Sequence, residues 1–519
     1  MHIDLTRDPR IRDRAAGVLT GTACGDALGV PYEFQPRLSD DRTPTMAGGG
    51  LGPYAPGEYS DDTQMAVCLA EAALLYGADV DSPQGRDHTA EAWLHWRREG
   101  ATDIGIQTSS VLHAAQQHAG APFVSDRMTA AAWKRYTSGV PSAGNGSLMR
   151  TAPLALAYLT DREGLAAAAD RFSRLTHSDP EAAEACILWC EAIRHAVVHG
   201  EFDGLRDAVT LLPDHRRQVW RDRFDEAASH PPASFCSNGW VVHALQAAWS
   251  AIIRTLIPAH RPAEGSFRAD HFRHALEAAV RAGHDTDTVA AIAGGLLGAR
   301  WGVSAIPLEW QRIVHGWPGY TVRDLAAQGI GIAFGTDSTG WPAAHHQPRP
   351  EDAAIPVHTA HPRDPGLILG NLALADAKPE VDAVVSLCRT GVEDFTGLPG
   401  GDHMQVWLVD TPGANAHTPY VLDQAARAVA ELRAEGKRVL LHCAAGRSRT
   451  PAVAARYGVL RSGIGPGTAL TEVCAALHGD DSMINPELVD AVFTLSGTPT
   501  PRRSRPPHEQ LPLRPSADG

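Results

Sequence analysis

The chain has 519 residues, a formal net charge of −14 and 20% charged residues, long enough for two or three domains at a usual span of about 100–200 residues each. An acidic chain with no basic run before its tail offers no electrostatic footprint for nucleic acid or an anionic membrane surface. No stretch reaches the ~20 uninterrupted apolar residues of a spanning helix, and the opening MHIDLTRDPRIRDR has no apolar core of the signal-peptide kind. A cytoplasmic protein is expected. In that setting its eight cysteines stay reduced. Cys186 and Cys190, four apart in CILWC, read as buried thiols, because no second pair completes a metal site.

Residues 10–320 read as an all-helical domain. Segments such as AVCLAEAALL, EAAEACILWCEAIRHAVV and VAAIAGGLLGARWG are rich in alanine and leucine with helical spacing, and no alternating β-branched runs interrupt them. Ser178 and Glu181, with Pro180 between them, predict a capping box at a helix start.

Two acidic clusters stand out in this region. YSDDTQM carries Ser60, Asp61, Asp62 and Thr63; GHDTDTVAAIAGG carries Asp285, Thr286, Asp287 and Thr288. Helix capping would account for one such residue in each. It does not account for four in succession, twice, because adjacent carboxylates repel unless cations are present. Carboxylates and hydroxyls form a hard, oxygen-only ligand set, which favours Mg²⁺, with Mn²⁺ as a substitute, over zinc. Two clusters meeting in a helical bundle could hold two ions. GTACGDALGVPYEF adds a carboxylate, Glu33; GNGSLMRTAPLAL is a Gly–Asn–Gly loop running into a helix; and His177 stands just before a helix start in LTHSDPEA. A turn and a packing histidine are the plain alternatives for the last two.

Taken in order, GDALGVPYEF, SDDTQM, GNGSLMR, THSDPEA and GHDTDTVAAIAGGLLGA resemble the ADP-ribosylglycohydrolase family over about residues 15–320. The resemblance implies an all-helical fold with a two-magnesium centre. Ser60, Asp61, Asp62, Asp285, Asp287 and Thr288 would be metal ligands, and Glu33 a ligand or water-activating carboxylate. Gly144, Asn145, Gly146, Ser147 and His177 would line the ADP-ribose site. The first cluster begins with serine where threonine is expected, and the hydroxyl is kept.

From 321 to 360 the sequence turns dense in Pro, Gly, His and Asp and reads as a linker. Residues 361–497 then alternate strand and helix, which predicts an α/β domain with a central, mostly parallel sheet. GLILGN, AVVSLC, QVWLVD and KRVLLH are its strands, and a helix with Thr418 as N-cap and Pro419 at N1 follows the third. HCAAGRSRT places Cys443 at a strand end, under a loop at a helix N-terminus, a cradle for a tetrahedral dianion. The helix dipole and Arg449 favour the thiolate, Arg449 can hold two phosphate oxygens, and Thr450 can reach the sulfur. Asp410 in LVDTPG is the candidate general acid, with Asp402 as the alternative. The stretch resembles the H-C-x2-G-x2-R-[ST] signature of cysteine-dependent tyrosine and dual-specificity phosphatases. That resemblance implies Cys443 as nucleophile, Arg449 as phosphate clamp, and Ala444, Ala445, Gly446, Arg447 and Ser448 as the phosphate-binding loop. Residues 498–519 are rich in proline and arginine and are expected to be disordered.

The whole reads as a bifunctional hydrolase. It would release ADP-ribose from a modified protein or other acceptor and hydrolyse a phosphorylated protein or small phosphoester. The alternative is a phosphatase targeted by a helical domain that binds ADP-ribose without cleaving it.

Overall fold

The computed structural model describes residues 5, 8–117, 122–335, 354–391, 393–399 and 401–501. The expected tail beyond 501 and the middle of the expected linker, 336–353, lie outside the described residues.

Among the described residues up to 335 the named elements are helices apart from a two-residue ladder, His315–Gly316 against Tyr320–Thr321. The longest helix, α1 (Pro9–Gly29), starts as its sequence dictates: Pro9 occupies the first turn and the Asp8 side chain accepts from the Arg10 amide. α2 (Asp61–Tyr76), α3 (Pro180–His199) and α4 (Thr286–Trp301) surround it. The α3 N-cap is Asp179, which accepts from the Glu181 amide, and not the expected Ser178. Asp179 directly precedes Pro180, so it occupies the extended position that caps the turn.

α1 and α4 touch main chain to main chain. A Cβ placed on Gly17, Gly21 or Gly25 would come within 2.0–2.3 Å of the carbonyl oxygens of Gly298, Gly294 and Ala290. Glycines four apart on one face permit this approach, and no side chain could replace them without separating the helices. At the top of the seam, a Cβ on Gly29 would meet the Asp287 Cα at 2.4 Å. The seam therefore delivers the second acidic cluster against the end of α1.

Residues 322–334, read from sequence as linker, form a helix, α5 (Val322–Phe334). Thr321 and Asp324 make a reciprocal capping box, and Val322, Leu325, Ala326 and Ile330 are buried. The Pro/Gly/His-dense segment begins only after this apolar stripe, so the domain edge was drawn too early.

The C-terminal part is a five-stranded sheet ordered β1-β2-β5-β3-β4: β1 His358–His361, β2 Asp364–Asn371, β3 Ala383–Ser386, β4 His403–Gln405 and β5 Val439–Cys443. β1 is antiparallel to β2, and the other neighbours are parallel. QVWLVD lies in the strand only at Gln405; the Val406 amide still donates to the Ser386 carbonyl (2.9 Å), and the chain then leaves the sheet and runs to Asp410. α6 (Thr418–Ala434) crosses from β4 to β5, and α7 (Arg449–Ser462) follows β5. His417, not Thr418, is the α6 N-cap, and its Nε2 lies 2.9 Å from the Trp301 carbonyl oxygen at the end of α4.

The two parts are packed together, not merely tethered. Arg312 binds both carboxylate oxygens of Glu435, Asp402 Oδ1 at 3.1 Å and the Gly401 carbonyl at 3.2 Å; Lys437 reaches Asp402 at 2.6 Å. Phe267 meets Tyr420 edge-to-face, and the apolar core is continuous from α1 into the sheet. Among the described residues no helix is long and apolar enough to cross a membrane.

Candidate functional site

The first acidic cluster is built on the α2 N-terminus and held by a residue that sequence reading passed over, Asp26 of α1. Asp26 is fully buried. One of its oxygens accepts from the Ser60 amide (2.8 Å) and hydroxyl (2.7 Å), the other from the Thr63 amide (3.0 Å) and hydroxyl (2.6 Å). It thereby does from a distance what an N-cap does locally. Both its oxygens are occupied, which makes Asp26 a support for the cluster. The only sequence signal was an aspartate inside an apolar, glycine-spaced helix.

Around this support the predicted acids converge. Carboxylate oxygens of Asp26, Asp62 and Asp287 lie within 4.8 Å of one another, as do those of Glu33, Asp285 and Asp287. Asp287 belongs to both groups. The Ser60 hydroxyl is 3.2 Å from Asp62 and 3.4 Å from Asp287. Asp62 Oδ1 is buried without a hydrogen-bond partner. Burial raises the pKa of Asp61, Asp62 and Asp287, and the neighbouring charges that act on them are other carboxylates, which raise it further. Half-buried Glu33 is pushed up to about 8, first by burial and then by Asp285, Asp103 and Asp61. The Phe34 amide donates to the His284 carbonyl (2.7 Å), which ties Glu33 to the second cluster. Buried oxygens, an orphan acceptor and a shared carboxylate suit a pair of hard cations.

Asn145 and Asp285 are joined by an amide–carboxylate bond of 2.8 Å. Asn238, absent from the sequence reading, holds both: its carbonyl accepts from the Asn145 side chain, its Oδ1 from the Asp285 amide and its Nδ2 donates to Gly283. The Asn145 amide already donates to Gly239, so that N–H is unavailable to a diphosphate. Ser147, expected to line the ligand site, is fully buried, and its Oγ accepts from Ser173. His177 lies under the loop, its Nε2 3.3 Å from where a Cβ on Gly144 would stand; Gly146 is as close. Buried Arg150 stacks on Trp93 and donates to the Thr176 hydroxyl (2.5 Å), which is 2.7 Å from His177 Nδ1. Arg150 can only donate, so the Thr176 hydroxyl accepts from it while also bonding Nδ1, and the opposite ring nitrogen, Nε2, faces the glycines. Burial, with Arg150 adding to it, holds His177 neutral. Tyr54 is buried with its hydroxyl unpaired, near Asp61, Asp26 and Asp103.

The second site lies where β5 ends. Cys443 is buried, and the Gly446 amide donates to its sulfur at 3.3 Å. Gly446 has φ 76°, and a Cβ there would meet the Gly370 oxygen at 3.2 Å, so the turn requires glycine. His442 bonds Ser386 Oγ (2.6 Å) and is kept neutral, its pKa lowered to about 3 by burial and by His403. Arg449 Nη1 donates to the Leu387 and Leu408 carbonyls (2.7 and 3.1 Å), and its Nε is 3.5 Å from Asp410. Asp410 accepts from the Ser448 hydroxyl at 2.6 Å, which brings it to the loop. Asp402 is instead spent on Arg312 and Lys437. Thr450 donates to Gly370 at 3.4 Å and not, as expected, to the sulfur. Ala444 and Ala445 are partly exposed at the loop, and Arg447 is exposed.

A profile described as ADP-ribosylglycohydrolase matches residues 7–338. The ADP-ribosylarginine hydrolase Tri1 of Pseudomonas putida (strain GB-1) is 31% identical over 310 residues, 57% of this chain and 73% of the relative. The ADP-ribosyl-(dinitrogen reductase) glycohydrolase of Rhodospirillum rubrum is 27% identical over 310 residues, 58% of this chain and 90% of the relative. The crystal structure of human DUSP28 is matched over 30% of this chain and 97% of its own, at 21% identity and a TM-score of 0.24. The profile covers more than half of the chain and every residue of the buried carboxylate cluster, and on that ground the chain belongs to the ADP-ribosylglycohydrolase family.

Proposed function

We propose that the helical part hydrolyses the glycosidic bond between ADP-ribose and a protein acceptor, an arginine linkage first. The carrying observation is the pair of overlapping carboxylate groups that share Asp287. The likeness to an ADP-ribosylarginine hydrolase supports the choice of linkage. Ser60, Asp61, Asp62, Asp285, Asp287 and Thr288 would hold two Mg²⁺, with Mn²⁺ as a substitute; bound there, the ions would supply positive charge to the ribose hydroxyls and a water. Glu33, at the open side of the cluster, takes the proton from the attacking water. The carboxylate-rich wall favours the oxocarbenium character that develops at the anomeric carbon. The glycine loop and His177 Nε2 bind the ADP-ribose.

The sheet part, in the same reading, hydrolyses phosphate monoesters. The Cys443 sulfur attacks phosphorus, Arg449 and the amides of 444–448 hold the oxygens, and Asp410 protonates the leaving oxygen. Support comes from the Gly446–Cys443 contact and the Asp410–Ser448 bond. The experiment is a crossed pair of assays on the full chain. Asp287→Ala or EDTA is expected to reduce ADP-ribose release to background and spare phosphatase activity. Cys443→Ser is expected to do the reverse. Tight ADP-ribose binding with no release in the presence of Mg²⁺ would show a binding module instead.

A further inference from the structure

The last turn of α3 and the bend after it gather four donor side chains that neither reaction uses. His195 and His199, four apart, share one helix face. Their rings are 4.4 Å apart between centroids, with planes inclined by 43°. The helix stops at Gly200, whose φ of 72° is left-handed, and the chain folds back with Glu201 and Asp203. His195 Nε2 lies 3.0 Å from Asp203 Oδ1. A ring nitrogen of His195 and one oxygen each from Glu201 and Asp203 fall within 4.8 Å of one another. The imidazole is fixed in place: a Cβ on Gly204 would come to 2.4 Å from His195 Cβ, so the next helical turn bears on it.

The guanidinium groups nearby are committed elsewhere. Arg14 donates to the Val197 and Val198 carbonyls, Arg194 to both oxygens of Glu191, and Arg300 lies over Trp301.

We propose that this bend binds one divalent cation of the zinc class through His195, Glu201 and Asp203, with the exposed His199 side chain, which stands outside that 4.8 Å group, swinging in as the fourth ligand. Two imidazoles and two carboxylates form a mixed nitrogen–oxygen set that Zn²⁺, Co²⁺ or Ni²⁺ accepts and that Mg²⁺ does not favour. Donors about 2.0–2.2 Å from a common tetrahedral ion stand about 3.3 Å apart, close to the His195–Asp203 separation. A plain histidine–aspartate ion pair would explain that contact too, but it requires neither Glu201 nor His199.

The full chain is titrated with Co²⁺ and then Zn²⁺ in excess Mg²⁺, which competes for the oxygen-only cluster. One equivalent of Co²⁺ should bind with visible d–d absorption and no thiolate charge-transfer band, and Zn²⁺ should displace it. His199→Ala and Asp203→Asn, both at exposed positions, should each weaken Zn²⁺ binding about tenfold or more. Zn²⁺ should raise the melting temperature of the unmodified chain and leave that of the double variant unchanged. Wild-type affinity in the double variant, or no bound Co²⁺ in the unmodified chain, overturns the proposal. A thiolate band also overturns it, because the ion would then sit on a cysteine.

Discussion

Around Asp287 the chain gathers carboxylates and leaves a buried oxygen of Asp62 unpaired; around Cys443 it gathers an amide, a guanidinium and a helix start. The first region is short of positive charge and the second is arranged to receive negative charge. Each imbalance names the sign of what is missing, since buried charge is tolerated only when compensated. Asp410 marks the contrast most sharply. It is an acid inside the basic region, held by Ser448 and beside Arg449, whereas the clustered acids of the first site have one another as neighbours.

That contrast can be tested from the largest effect downward. Asp410→Asn should lower phosphatase kcat by about 10²–10⁴-fold for substrates with poor leaving groups, and much less for an aryl phosphate. Asp402→Asn should leave the chemistry near wild type, and equal losses from the two would undo the assignment. Asp26→Ala strands the Ser60 and Thr63 donors and should cost about 2–4 kcal/mol of stability in EDTA, read from denaturant midpoints. A wild-type midpoint would mean that Asp26 is not the support of α2.

The third test is pH. Glu33 and its neighbours have pKa values raised in the folded state, while buried histidines such as His271 and His403 are lowered to about 4, so it is between about 6.5 and 8, above the histidine range, that the folded chain binds more protons than the unfolded one. Stability in EDTA should therefore fall as pH rises through that window. A divalent cation held at one concentration, 100 times its Kd at the top of that window, should restore about 2.7 kcal/mol there and less at lower pH. A gain independent of pH would place the ion elsewhere. The smallest effect is expected from Arg312→Ala, which removes the partly buried bonds to Glu435 and Asp402. It should cost about 1–2 kcal/mol and split a single calorimetric transition into two.

Legibility in the sequence followed locality. The two acidic runs, the Gly–Asn–Gly stretch and the C-x5-R turn are contiguous and so stand out in the sequence, although Asn145–Arg150 forms a 3-10 helix where a loop was read. Asp26 and Asn238 act across long sequence separations, and nothing beside them in the chain announces it; Asp26 meets Ser60 only because α1 and α2 pack. Ser147 shows the converse error: its motif is local, but its hydroxyl turns inward to Ser173. Thr450, read as able to reach the sulfur, gives its proton to the backbone of β2 in this structure. The helix over 322–334 was obscured by the Pro/Gly/His-dense segment that follows it, although its own apolar spacing and capping pair were legible.

The glycine seam between α1 and α4 has a mechanical consequence. Where side chains separate two helices, repacking can absorb small errors; where carbonyl oxygens sit against glycine Cα atoms, there is no compliant layer. The seam works as a lever with graded sensitivity. Gly29 borders Asp287 itself, whereas Gly17 lies about 18 Å away along the helix at 1.5 Å per residue. A methyl wedge at the near end would displace Asp287 outright. The same wedge at the far end would pivot the helices and open the carboxylate spacing only by the residual tilt.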